Sequence, residues 1–64
     1  MSATGYVRER RIARAAELLL TSAWDLERIA SASGFPNRHY LSRVFRQRMG
    51  LPPAAYRARG RPPQ

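Results

Sequence analysis

Two runs of apolar residues at helical spacing, with Gly34 between them, set the terms on which this chain can fold. Ile12, Ala15, Ala16 and Leu19 stand at i, i+3, i+4 and i+7, and Leu41, Val44, Phe45 and Met49 at i, i+3, i+4 and i+8. A repeat near 3.6 places each set on one face of a helix, and period-two alternation is absent over any useful length. The fold class is therefore all-α. With 64 residues and no cysteine, no disulfide or thiolate metal site can supplement a small core. Helix packing, helped by a partner, has to do it.

The punctuation between the runs divides the chain. Residues 1–5 read as a frayed leader. A joining helix is predicted over 6–20, about 22 Å long at ~1.5 Å per residue, with Leu18 widening its stripe. Its first half is polar, because Arg8 lies in line with the stripe and Arg10 and Arg11 follow. Tyr6 and Val7 are therefore expected to be exposed or to meet a partner. Asp25 suits the N-cap of a second helix over 26–33, turned inward through Leu26, Ile29 and Ala30. Arg28 stands where a full capping box has Glu or Gln. Gly34 is placed to end that helix in the left-handed region, Phe35 and Pro36 carry the chain round, and Asn37 can cap a third helix over 38–49. Gly50 ends it. Pro53 suits the first turn of a short helix over 53–59, with Ala54 and Tyr56 packing inward. The closing residues 60–64 combine Gly60, Pro62 and Pro63 and read as an extended tail.

Charge narrows the function. Twelve basic residues, all Arg, face four acids, Glu9, Glu17, Asp25 and Glu27, for a net charge of +8 and a pI of about 11.7. GC-rich coding accounts for the Arg-only usage as well as function does, but not for the imbalance. That field favours a polyanion, nucleic acid before an anionic membrane surface. No apolar run approaches the ~18 residues that would span a bilayer, and the N-terminus lacks a hydrophobic signal core. The expected setting is cytoplasmic, associated with the nucleoid. A catalytic role has no support: there is no paired carboxylate, activated nucleophile or phosphate loop. His39, the only histidine, has Phe35 and Arg43 at helical spacing rather than a second ligand. No cofactor, metal or small-molecule ligand is expected in this segment.

Two helices of about eight and twelve residues around a glycine turn, the second with a polar, basic outer face, have the layout of a helix-turn-helix. In that layout the second helix offers its N-terminal residues to base edges in the major groove. The residues also resemble a known family. Arg11, Ala15, Leu18 and Leu19; Ile29, Ala30, Gly34 and Phe35; Asn37, Tyr40, Phe45 and Arg46; and Gly50, Pro53, Tyr56 and Arg57 are similar in kind and spacing to the DNA-binding region of the AraC/XylS transcription regulators. The likeness covers roughly residues 6 to 58. It departs at Arg10, where an apolar residue is common, at Leu41, where Phe is usual, and at Pro52, where a Ser or Thr cap often stands.

The resemblance implies a homeodomain-like bundle of three to four helices behind a long joining helix, and a role as a sequence-specific module for double-stranded DNA. Members of the family have two helix-turn-helix units; this chain corresponds to the second, without the first and without an effector domain. Arg38, His39, Ser42 and Arg43 are the candidates for base contacts, with a solvated charged face as the plainer reading. For His39 a passive surface position is the main competitor. Arg46, Gln47 and Arg57 are candidates for phosphate contacts. Asn37 is a cap whose neighbouring amides can face a phosphate, and Arg11 is either a phosphate contact or half of a surface ion pair. Trp24, Phe45 and Tyr56 read as packing aromatics rather than base-stacking platforms, and Tyr40 lies between the core and groove faces. The alternative function is an interaction module that contacts RNA polymerase or interferes with a full-length relative. A cationic membrane-surface helix is a weaker third reading.

Overall fold

A computed structural model describes the backbone of residues 3–60 and the side chains of residues 6–60. Four helices follow one another: α1 (Ala3–Thr21), α2 (Leu26–Ala32), α3 (Arg38–Met49) and α4 (Pro53–Gly60). No strand occurs among the described residues. The first helix starts before Tyr6, so residues 3–5 of the expected leader form its opening turn. Apolar spacing marks where a helix packs, and Ala3, Thr4 and Gly5 carry no such spacing. At the far end Gly60 closes α4 rather than opening a tail. The rest of the expected leader and tail, residues 1–2 and 61–64, lies outside the described residues.

The core joins all three predicted stripes. Ile12, Ala15, Leu18 and Leu19 come from α1, Ile29 and Ala30 from α2, Phe35 from the turn, and Leu41, Val44 and Phe45 from α3. Helix α1 packs against each of the other three. The Phe45 ring meets Tyr56 of α4 edge-on, with centroids 5.3 Å apart. Two expected packing residues are corrected. Met49 is 36% exposed; eight residues beyond Leu41, it has rotated about 80° off the stripe's centre at ~100° per residue. Ala54 is exposed, while Pro53 is fully buried and Tyr56 half-buried. Pro53 and Tyr56, three apart, share the inward face of α4 and leave Ala54 off it.

Each helix boundary has a local cause. Asp25 Oδ1 accepts the Arg28 N–H at 2.9 Å, the first-turn bond of an N-cap. Ser33, expected as the last residue of the second helix, is instead its C-cap, its N–H donating to the Ile29 and Ala30 carbonyls at 2.9 and 3.2 Å. Gly50 (φ 83°) turns the chain out of α3 and donates to the Arg46 carbonyl at 2.9 Å. Pro52, the departure expected to weaken the last helix, opens it instead: its carbonyl accepts the Tyr56 N–H at 3.0 Å. No helix among the described residues is long and apolar enough to cross a membrane.

Candidate nucleic-acid interface

The turn between α2 and α3 fixes how the third helix is presented. Gly34 has φ 86°, a conformation that side chains with a Cβ rarely adopt. A Cβ there would also lie 3.0 Å from Arg11 Nε, since the Arg11 side chain crosses the turn. Phe35 then plunges into the core, and its N–H reaches back to the Ala30 carbonyl at 2.8 Å. Asn37 begins α3 in extended backbone, its Oδ1 accepting the Tyr40 N–H at 2.9 Å. The remaining free amides of that first turn point out of the N-terminus, where they favour an anion.

Leu41, Val44 and Phe45 anchor α3 from below. On its other side His39, Arg43, Arg46 and Gln47 are exposed, with Ser42 half-buried beside them. These five lie within one arc of the helix, so the structure brings them together on a single outward face. Arg38 stands at the edge of that arc. Its Nε lies 3.9 Å from Glu27 Oε2 on α2, with both side chains more than half exposed. At that distance and exposure the pair is weak, worth ~0–1 kcal/mol, so Arg38 can leave it for a phosphate or base. Tyr40 is 41% exposed and leans on Phe35, ring centroids 6.0 Å apart.

Several arginines do not belong to this face. Arg57, expected to touch phosphate, is turned inward and half-buried. Its Nε donates to the Leu19 carbonyl at 3.0 Å, and its Nη2 to those of Ser22 and Trp24 at 3.3 and 2.7 Å. The last carbonyls of a helix have no partner within it; a guanidinium supplies one here and ties α4 to the end of α1. The sequence signal was present, for a positive side chain suits a helix C-terminus, but nothing in the spacing says that residues 19–24 lie beside residue 57. Arg48 pairs with Glu9 on α1, so α1 and α3 are also tied away from the turn between α2 and α3. Arg28 lies over the Trp24 ring, 4.0 Å from its centroid, a cation–π contact that half-covers an aromatic expected simply to pack.

Comparison with known proteins places this arrangement. The family profile of the "Helix-turn-helix domain" matches residues 1–59. The HTH-type transcriptional activator RhaR of Pectobacterium carotovorum is 41% identical over 59 residues, covering 92% of this chain and 21% of that protein. The MmsAB operon regulatory protein of Pseudomonas aeruginosa is 41% identical over 51 residues, covering 80% of this chain and 17% of that protein. Among solved structures, the C-terminal domain of the two-component response regulator yesN from Fusobacterium nucleatum superposes with a TM-score of 0.86 at 28% identity, over 89% of this chain and 55% of that one. The chain thus spans about a fifth of the length of the curated relatives it matches. A helix-turn-helix with a capped, basic third helix, found in transcription regulators over nearly its whole length, places the chain in the AraC family as a helix-turn-helix DNA-binding domain of a transcription regulator.

Proposed function

We propose that this chain is the second helix-turn-helix unit of an AraC-type regulator and that α3 enters the major groove of duplex DNA. The observation that carries this reading is the single outward face of α3, polar and basic, held at fixed height by Leu41, Val44 and Phe45 and oriented by the Asn37 cap. Arg38, His39, Ser42 and Arg43, nearest the N-terminus, are the base-reading group. Arg43 and Arg38 can each present two N–H donors to guanine O6 and N7, a contact worth roughly 1–3 kcal/mol of discrimination.

Arg46 and the amides behind Asn37 address the phosphates, with Gln47 at the margin of the same face. Arg11 joins them from α1, because its side chain lies across the turn that precedes α3. Arg57 is left out: its inward hydrogen bonds leave only Nη1 for another partner. The likeness to just over half of a longer solved chain supports the reading as one of two units. The whole regulator's effector and its sign of regulation belong to the longer relatives.

The test is fluorescence anisotropy with a pool of random-sequence duplexes, followed by selection of the tightest binders. The selected set is expected to share a short core motif that Arg43→Ala relaxes at one position, whereas Arg46→Ala weakens all duplexes alike. A pool with no shared motif, equally bound by wild type and Arg43→Ala, would overturn the base-reading assignment.

A further inference from the structure

Behind the DNA-facing side of α3 runs an apolar groove that shares with the reading above only Gln47, at its lip. Its first section, about 440 Å³, is floored by Ile12, Ala13 and Ala16 of α1 and Met49 of α3, with Glu9, Gln47 and Arg48 at the lip. Met49 also lines a second section of about 310 Å³, with Leu20, Leu51 and Tyr56 below and Arg59 at its edge. Met49, 36% exposed, is common to both sections, and Leu20, 40% exposed, lines the second. Ala13 and Leu20 are seven residues apart on one flank of α1, and Tyr6, 54% exposed, continues the same line by another seven. From Tyr6 to Leu20 the flank is about 21 Å long at ~1.5 Å per residue, the length of an amphipathic helix of about four turns.

Charge selects the occupant. The only acid at either lip, Glu9, is already paired with Arg48, and the other lip carries Arg59. The chain as a whole is at +8. A second copy would bring the same sign of charge to a basic rim, and a nucleic-acid backbone has nothing to bury against an alanine and methionine floor. We infer that this groove docks an acidic amphipathic helix of a partner protein, its apolar residues seated on Ala13, Ala16 and Met49 and its carboxylates reaching Arg59. The lining comes from the last turn of α3, whereas the base-reading residues come from its first two, so the groove stays open while α3 is in DNA. The inference depends on the DNA reading only for that simultaneity.

The probe is a synthetic helix of about four turns with Leu at i, i+3 and i+7 and Glu elsewhere, compared with the same pattern carrying Lys. The Glu peptide is expected to bind with shifts of the Met49 methyl resonance, and Ala13→Arg is expected to weaken it at least about tenfold. Ala13 is exposed, so the variant keeps its fold; Met49→Gln serves the same end from the other helix. Neither change is expected to alter duplex affinity, and the peptide and duplex are expected to bind together. Equal binding of the Lys peptide, insensitivity to both variants, displacement of the peptide by duplex, or sedimentation as a dimer closed over Met49 would each overturn the proposal. Loss of duplex binding alone would overturn the DNA reading and leave the groove standing.

Discussion

Arg57 and Ser33 show two opposite ways of handling a buried polar atom. Arg57 meets three backbone carbonyls from the end of α1 and the loop after it. Charged hydrogen bonds contribute more than neutral ones, so Arg57→Ala is expected to cost about 2–3 kcal/mol in urea unfolding. Arg57→Lys recovers only part of this, because a single ammonium cannot span three acceptors with the fork geometry of a guanidinium. Per folded molecule, Arg57→Ala leaves the slope of duplex affinity against salt as it was, which the loss of a phosphate contact at this position would not. Ser33 is 4% exposed and its Oγ has no partner among the described residues. Removing an unpaired buried hydroxyl relieves its desolvation, so Ser33→Ala is expected to raise stability by up to ~1 kcal/mol, read as a higher urea midpoint with unchanged slope.

At the scale of elements, the two turn glycines separate two effects that usually come mixed. Both have positive φ, 86° at Gly34 and 83° at Gly50. A Cβ at Gly50 meets nothing, whereas one at Gly34 meets the Arg11 side chain. Gly50→Ala is therefore expected to show the backbone cost alone, ~1–2 kcal/mol, and Gly34→Ala more. In an Arg11→Ala background the excess at Gly34 is expected to vanish while the backbone cost remains, a coupling that a double-mutant cycle measures.

The helices themselves were legible because caps and stripes are local: Asp25, Asn37, Gly34 and Gly50 each act within four residues of where they stand. What could not be read was what a side chain does across the fold. Arg57, Arg11 and Arg48 look alike in the sequence, yet one ties α4 to the end of α1, one lies across the turn, and one pairs with Glu9. Met49 keeps the period of the core stripe, but the period alone does not say where the neighbouring helices end. The outward face of α3 was legible for the reason that Arg57 was not: facing solvent is decided by one helix and its own core stripe.

For the whole molecule, charge governs both stability and binding, in opposite senses. A domain of this size buries only about 60% of the surface its unfolded chain exposes, and here it holds a net +8 on a body with extents of 42 × 20 × 17 Å. Self-repulsion opposes compaction and is screened by salt. The melting temperature is therefore expected to rise by a few degrees between about 20 and 200 mM salt. Over the same range duplex affinity is expected to fall by about a hundredfold or more, as released counterions demand. Calorimetry and anisotropy on one preparation would show the two trends; a flat affinity would remove the phosphate contacts from the account.

The first helix has a consequence of its own. α1 joins the apolar core only from Ile12 onward; before it Glu9 reaches Arg48 and Arg11 crosses the α2–α3 turn, while Tyr6 and Val7 are exposed. As one unbroken rod it acts as a phase shaft, since any body mounted at Tyr6 and Val7 is locked in angle and height to α3. Inserting one residue between Val7 and Arg8 would turn that body by about 100° and lift it by ~1.5 Å, while Glu9, Arg11 and the core would keep their places. A two-headed reader built on this rod would go out of step with the DNA helix, though each head remained intact.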